Sequence, residues 1–314
     1  MPKTISPLQE INPDSIRQNP DNPRLIFQEE EMNDLLESIR EVGIKVPVSV
    51  YSDGTKYTLL DGERRWRCAK KLNLTVVPAI VQPKPTRLEN LLMMFNIHNV
   101  RVDWDLMPMA LKLGDVRNML AKEGKDTTPK ALAAVTGVRL PTVRRALDLL
   151  DLPKKYQNML LKEAEKPRNQ QKVKADLFIE VYKSMHAVER YVPAVFKRVT
   201  KAGYVESMVK KYIGGVVDNV VAFRDVSKIA RAELAGGDKE KAAPTIIKLV
   251  KDRKYSIAQA FGDTVQAAYE QRDLLTRLRG ITAKLGGYKT VRGLSQDIRA
   301  ALEDLKTEID RMLR

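Results

Sequence analysis

A short basic run at residues 61–68, Asp-Gly-Glu-Arg-Arg-Trp-Arg-Cys, has the residue types that bind phosphate. An apolar strand pattern precedes the run and a helical pattern follows it, so the run lies where a strand leads into a helix. Unpaired backbone N–H groups and the positive end of the helix dipole gather at such a point. Gly62 permits close approach of backbone to a ligand, and the guanidinium groups of Arg64 and Arg65 match phosphate oxygens. The run predicts an anion site, while an exposed basic first turn is an equally simple interpretation.

A second set of residues, from Thr128 to residue 149, has the spacing of a helix-turn-helix. Thr128 can cap a helix that begins at Pro129, and Gly137 stands where the turn needs a left-handed residue. A second helix is predicted over residues 140–149, and a plain helical hairpin with the same spacing is the alternative. In the functional interpretation, four side chains at or near this helix reach base edges and phosphates in a major groove: Arg139, Thr142, Arg144 and Arg145.

The segment that follows the second helix, residues 154–174, is densely basic. Because it adjoins the predicted groove-reading helix, we interpret it as a surface that follows the DNA phosphates. A solvated helix face is the alternative. The residues predicted to contact phosphate here are Lys154, Lys155, Arg168 and Lys172.

The composition indicates a folded, basic protein that attracts polyanions. Lys and Arg number 55 against 40 Asp and Glu, a formal charge of +15 over 314 residues. Nucleic acid is the first partner expected for such a surface. The single cysteine, Cys68, excludes an intrachain disulfide and a cysteine metal cluster, and two histidines do not suggest a histidine-rich metal site. With no signal segment and no apolar run of membrane-spanning length, a cytoplasmic protein without membrane contact is expected.

The order of these patterns predicts an α+β chain, in which a small N-terminal α/β domain at residues 1–82 is followed by helices alone. Within this domain a helix is predicted over residues 29–42, ended by the glycine that follows it. A helical connector and the helix-turn-helix occupy residues 83–165, and a helical region without recognisable chemistry occupies residues 166–265. Residues 266–314 carry two short apolar repeats at helical spacing, which fit either a hairpin packed on itself or a dimerisation segment.

Taken in order along the chain, the motifs resemble the ParB/Spo0J/KorB/Noc family of chromosome- and plasmid-partition proteins. The first match comprises Asn-Pro-Asp-Asn-Pro-Arg at residues 19–24 and Gly-Ile-Lys-Val-Pro-Val-Ser-Val at residues 43–50. The second is the arginine run at residues 61–67, which is the most specific of the three. The third includes the helix leading to Asn99 and continues through the helix-turn-helix to Leu-Leu-Asp-Leu-Pro at residues 149–153. The C-terminal half matches no pattern of the family, so the resemblance is to a divergent member.

In that family the α/β domain binds CTP with Mg²⁺. The glutamate that serves the metal in the family is replaced here by His98, so the resemblance leaves open whether the chain is a weak CTPase. Asn99 would serve both the metal and the nucleotide. The residues that the resemblance implies for nucleotide binding are Gly43, Gly62, Glu63, Arg64, Arg65 and Asn99.

The resemblance also implies a function. A homodimeric, CTP-switched clamp would recognise a palindromic site on double-stranded DNA through its helix-turn-helix, associate with the nucleoid or a plasmid, and act with a ParA-like ATPase in segregation. A ParB-like transcriptional regulator without a partition role is the first alternative. An enzyme related to sulfiredoxin or to a nucleotide-dependent small-molecule kinase is the less favoured one, because Cys68 lies beyond the turn and Glu63 is the only obvious base. The DNA sequence recognised, and a plasmid, phage or chromosomal origin, are not encoded in these motifs.

Overall fold

The computed structural model describes residues 8–22, 24, 27, 29–98, 104–167, 169–288 and 293–313. The chain divides into two compact units, Met1–Tyr182 and Lys183–Arg314. The first unit contains a sheet with two helices and then a set of helices, and the second is helical, which confirms the predicted α+β class. The finer division into four segments stays a prediction.

A mixed five-stranded sheet forms the first part of unit 1. Its strands are β1 (Leu8–Ile11), β2 (Ile16–Arg17), β3 (Val48–Ser52), β4 (Tyr57–Asp61) and β5 (Val77–Gln82), in the spatial order β1-β5-β3-β4-β2. The two central pairings differ, since β3 runs antiparallel to β4 and parallel to β5. The apolar strand pattern before the arginine run corresponds to β4, whereas the short edge strands β1 and β2 have no comparable alternation.

α1 (Glu29–Val42) packs on α2 (Glu63–Lys71), and α2 packs on the sheet. α1 ends at Gly43, which has a φ of +72° and donates its N–H to the carbonyl of Ile39 at 2.9 Å, so the predicted helix end is confirmed. α2 buries Trp66 against the sheet core around Val48. The indole N–H of Trp66 donates to the carbonyl of Pro13 at 2.9 Å, which satisfies the one polar atom of that side chain.

The rest of unit 1 is helical. Its elements are α3 (Arg87–His98), α4 (Leu106–Lys122), α5 (Pro129–Thr136), α6 (Leu140–Leu150), α7 (Lys154–Ala164) and the start of α8 (Ala175–Tyr191). α4 and α6 pack closely because Gly114 has no side chain: a Cβ there would lie 3.1 Å from Leu150 Cδ1. Leu132 and Val143 are fully buried between the helices, as the helix-turn-helix spacing predicts.

Unit 2 is built from α9 (Lys201–Ile213), α10 (Phe223–Ala230), α11 (Ala232–Ala235), α12 (Lys239–Lys251), α13 (Ile257–Thr264), α14 (Gln266–Leu285) and α15 (Gln296–Met312). Tyr204 is fully buried and shares a 2.8 Å hydrogen bond with Ser184. Lys211 is buried too, and its ammonium group donates to the carbonyls of Asp252 at 2.6 Å and Tyr255 at 2.7 Å. This lysine therefore ties α9 to the loop after α12.

The apolar side chains that repeat along α14 and α15 are not buried in unit 2 as the structure describes it. Among the described residues neither helix contains a buried side chain, and Leu274 and Ile298 are 54% and 46% exposed. A hairpin whose two stripes bury each other is therefore not observed, and the dimerisation interpretation stays a prediction. Over the described ranges, no helix is both long and apolar enough to cross a bilayer.

Candidate functional site

A cavity of about 280 Å³ opens at the junction of β4 and α2, where the arginine run lies. We call it the Gly62 cavity. It is slightly smaller than the roughly 300–1,000 Å³ typical of small-molecule sites. Its walls come from the described residues Asn19, Asn22, Arg24 and Phe27, from α1, from the β4–α2 junction and from α3. The polar and charged residues among those that line it are Asn19, Asn22, Arg24, Asp61, Glu63, Arg64 and Arg65.

Gly62 lines this cavity at a position that only glycine can occupy without strain. Its backbone is left-handed, with φ +94° and ψ +24°, and it stands directly before the first residue of α2. A Cβ at this position would lie 2.8 Å from Val48 Cγ1 and 3.2 Å from the guanidinium carbon of Arg65. Because glycine has no side chain, α2 also begins without a side-chain cap, which leaves its first N–H groups without that partner.

Glu63 is a hydrogen-bonded carboxylate rather than an available base. It accepts from Gln18 Nε2 at 2.8 Å, from Asn22 Nδ2 at 2.6 Å and from Arg67 at 2.7 Å. The guanidinium group of Arg67 also lies 4.2 Å from the ring centre of Phe27. This arrangement fixes the turn at residues 18–22 to the first turn of α2 and does not support a kinase-type base.

The two arginines of the run differ in their surroundings. The guanidinium group of Arg65 forms hydrogen bonds within the protein. It donates to the carbonyls of Val46 and Pro47, the latter at 2.7 Å, and to Asp61 at 3.2 Å. It therefore holds the start of β3 to the end of β4. Arg64 is half-buried and lines the cavity. Both side chains line the cavity, so both stay candidates for a phosphate contact.

Two other residues are predicted to bind the nucleotide, Gly43 and Asn99, and the structure describes only the first of them. Gly43 ends α1 and is not among the described residues that line the cavity, so its predicted contact has no support from this geometry. Asn99, predicted for both nucleotide and metal, lies outside the described residues, as does the side chain of His98. Within the part of the chain that the structure describes, no three His, Cys, Asp or Glu residues are grouped to hold a metal ion.

Cys68 lies one turn along α2 and is buried. Its thiol contacts the carbonyl oxygen of Met32 at 3.7 Å, and burial raises the pKa of the thiol, although the nearby charges of Arg64 and Lys71 oppose that shift. A neutral, buried thiol is a poor nucleophile. The sulfiredoxin-like alternative therefore receives no support.

The predicted helix-turn-helix is present as α5 and α6. The Thr128 hydroxyl accepts from the N–H of Ala131 at 3.3 Å, Pro129 begins α5, and Gly137 takes the left-handed turn at φ +71°. Arg139 and Arg144 are exposed, and Thr142 is half-buried. Their contacts with DNA stay a prediction.

Arg145, the remaining side chain proposed to read the groove, forms an ion pair with Asp176 at the start of α8. Both side chains are partly exposed, so the pair is screened by water and contributes little to stability. No sequence pattern indicates this partner, which lies 31 residues away.

The basic segment after α6 makes some contacts within its own chain. Lys154, Lys155 and Lys172 are exposed, while Arg168 lies outside the described residues. Lys154 donates to Gln157 Oε1 at 3.0 Å, and Lys155 lies 4.7 Å from the ring centre of Tyr156. These weak local contacts leave a cationic surface beside α6, and its contact with DNA phosphates stays a prediction.

Several residues that line or support the Gly62 cavity have no role assigned from the sequence. They belong to the segment at residues 18–27, which the motifs mark only as a turn-rich part of the first match. Its Asn-Pro spacing is the signal that could have indicated a wall of the site, because asparagine side chains stabilise turns by bonding to nearby backbone. The residues concerned are Gln18, Asn19, Asn22, Arg24 and Phe27.

Comparison with known proteins relates the chain to partition proteins. The family model for the ParB N-terminal domain matches residues 3–99. The chromosome-partitioning protein Spo0J of Thermus thermophilus is 35% identical over 153 residues, covering 49% of this chain and 54% of Spo0J. A C-terminally truncated ParB of Caulobacter crescentus complexed with CTP-γ-S is 31% identical, with a TM-score of 0.29, covering 50% of this chain and 85% of that one. The same ParB complexed with the centromeric parS site is 24% identical, with a TM-score of 0.42, covering 71% and 98%.

These matches show which class of protein the chain is related to and how much of the chain the relationship covers. Residues 3–99 match the ParB N-terminal domain, and about half of the chain is similar in sequence to the chromosome-partitioning proteins Spo0J and ParB. The chain spans about half the length of the curated relatives it matches. The matched residues 3–99 include the arginine run at residues 61–67.

Proposed function

We propose that this chain is a nucleotide-regulated DNA-binding protein of the partition type, which binds CTP in the Gly62 cavity and duplex DNA through α5 and α6. The observation that supports it best is the cavity itself. A helix N-terminus, a left-handed glycine and an arginine side chain meet there within one ParB N-terminal domain.

The residues around the cavity suit a triphosphate. Arg64 lines it, Arg24 does so as well, and Arg67 lies next to them over Phe27. Guanidinium groups and helix N-terminal N–H groups stabilise phosphate oxygens by charge and by directed hydrogen bonds. Cytosine as the base follows from the family resemblance. A magnesium ion would neutralise phosphate charge when bound. The described residues offer it no cluster of acidic ligands, so hydrolysis does not form part of the proposal.

The DNA-binding half is proposed to contact one half-site of a palindrome with the side chains of Arg139, Thr142 and Arg144. Arg145 would exchange Asp176 for DNA on binding. A twofold homodimer explains a palindromic target, since each subunit then meets an identical half-site. The exposed apolar stripes of α14 and α15 are the proposed dimer contact. A ParA-like ATPase is the motor partner expected of this class.

Calorimetric titration with CTP, ATP and GTP, with and without Mg²⁺, tests the nucleotide proposal. Arg64→Ala should weaken CTP binding by tenfold or more, because a hydrogen bond to a charged group contributes about 1.5–3 kcal/mol. Arg40→Ala is the matched control, because Arg40 is exposed on α1 and pairs only locally with Glu37 at 2.7 Å. Equal CTP affinity in the two variants would remove Arg64 from the site, and no binding of any nucleotide would refute the proposal.

A further inference from the structure

A buried polar cluster joins the turn beside the Gly62 cavity to helices α3 and α4. We call it the Asp21 junction, and its members are Asn19, Asp21, Asn90 and Lys112. Asn19, Asp21 and Asn90 are each less than a tenth exposed. Buried polar groups of this kind are retained only when they are paired, and each of these is.

Asn19 and Asn90 pair through their side-chain amides. Asn19 Nδ2 donates to Asn90 Oδ1 at 2.8 Å, and Asn90 Nδ2 donates back to Asn19 Oδ1 at 3.2 Å. Asn90 Nδ2 also lies 3.1 Å from Asp21 Oδ2. Because both partners donate and accept, a shift of the turn by a fraction of a hydrogen-bond length breaks more than one bond. The turn and α3 are therefore fixed to one another.

Lys112 extends the junction to α4. Its ammonium group donates to Asp21 Oδ1 at 3.0 Å and to the carbonyl of Pro20 at 3.3 Å. Arg87, at the start of α3, lies 3.9 Å from the same carboxylate and 3.4 Å from Asp115 of α4. α4 is the helix on which α6 packs, through Gly114 and Leu150. The carboxylate of Asp21 therefore holds the supporting helix of the helix-turn-helix.

The same turn also borders the Gly62 cavity. Asn19 and Asn22 line the Gly62 cavity, and Asn22 Nδ2 donates to the Glu63 carboxylate at 2.6 Å, as does Gln18 at 2.8 Å. The turn at residues 18–22 thus bonds on one side to the first turn of α2 and on the other to the helices of the DNA-binding half. A phosphate that enters the cavity approaches the Glu63 carboxylate and competes for Arg67, the cation that now pairs with it.

We propose that the Asp21 junction carries the energetic coupling between the Gly62 cavity and the helix-turn-helix, and that Lys112 is its positioning residue. The proposal rests on the function proposed above and adds the route by which one ligand alters the affinity for the other. When phosphate displaces the partners of Glu63, the turn moves, and the move reaches α4 through Asp21 and Lys112. Coupling between two binding sites is reciprocal, so DNA must change CTP affinity by the same factor as CTP changes DNA affinity.

Lys112→Met in the full chain tests this role, since it removes the ammonium group and keeps the length of the side chain. The measured quantity is the ratio of DNA affinities with and without CTP, together with the reciprocal ratio of CTP affinities. Lys112→Arg, which can still reach Asp21, is the conservative variant. Lys122→Met is the matched control, because it makes the same change at an exposed position of the same helix.

In the wild type, the ratio of DNA affinities with and without CTP should have a typical size for coupled sites, roughly 5–150-fold. In Lys112→Met this ratio should fall to within about twofold of unity, and in Lys112→Arg and Lys122→Met it should stay at the wild-type value. Each ligand alone should bind Lys112→Met about as tightly as it binds the wild type. Asp21→Asn, which places an amide where the carboxylate faces Lys112, should lose coupling in the same way and provides the test if Lys112→Met does not fold.

If Lys112→Met binds both ligands with the same coupling as the wild type, the Asp21 junction does not carry the coupling. The proposed function would still stand. Two ligands that bind the wild type independently would overturn the junction as well. Failure of the wild type to bind CTP or DNA at all would instead refute the proposed function, and the junction with it.

Discussion

Replacing Gly62 by alanine tests whether the junction of β4 and α2 requires a glycine at this position. The left-handed backbone at Gly62, with φ +94°, costs a residue that has a Cβ about 1–2 kcal/mol. A Cβ there would also lie 2.8 Å from Cγ1 of Val48, which is fully buried and cannot move aside freely. Forcing extra atoms into a packed core costs typically about 1–3 kcal/mol. Gly62→Ala should therefore lower the free energy of unfolding by about 2–5 kcal/mol.

Gly54→Ala separates the two contributions. Gly54, in the β3–β4 hairpin, has a nearly identical φ of +97°, but a Cβ there would meet nothing within 4 Å. Its cost should be the backbone share alone, about 1–2 kcal/mol. Urea unfolding of both variants measures the difference. Gly62→Ala and Val48→Ala combined should cost less than the sum of the two single losses, since the clashing methyl group is then absent. Equal destabilisation by the two glycine substitutions would refute the predicted contact with Val48.

Three further predictions concern single side chains. Cys68 should react slowly with iodoacetamide in the native state and at the rate of a free thiol in denaturant, because burial raises its pKa; equal rates would contradict a buried thiol. Burial tends to raise the pKa of Glu163, but hydrogen bonds from Lys166 and from backbone N–H groups outweigh it and hold the pKa below its usual value. The stabilisation is therefore present above about pH 4.3, the unfolded pKa, and is lost on acidification, so Glu163→Gln should flatten the fall of unfolding free energy below about pH 5; an unchanged slope would argue against it. Arg144→Ala should weaken specific DNA binding by about 1–3 kcal/mol if the side chain reads a base, and an equal loss on all sequences would assign it to phosphate instead.

Local patterns carry most of what can be predicted from the sequence of this chain. The caps at Thr128 and Gly137, the helix end at Gly43 and the strand-to-helix turn at Gly62 depend on residues within a few positions of one another. Their φ angles and capping bonds follow from the residue type itself. The fold class and the location of the arginine run are therefore predictable from residue types and their spacing alone.

Contacts between distant residues are not predictable in the same way. Asn22 and Glu63 are 41 residues apart, and Arg145 and Asp176 are 31 apart, so no spacing rule links them. The inward direction of Arg65 likewise depends on two carbonyls just before β3, at Val46 and Pro47. For this reason sequence patterns treat Arg64 and Arg65 as equivalent, whereas the structure shows that Arg65 holds the start of β3 to the end of β4.

Amide hydrogen exchange with and without CTP tests the central assignment most directly, because it reports where the nucleotide binds. The account predicts slower exchange at residues 62–66, the first turn of α2, and unchanged exchange in α9 of unit 2. CTP binding that leaves residues 62–66 unaffected, or that protects a different region, would contradict the assignment of the Gly62 cavity as the nucleotide site.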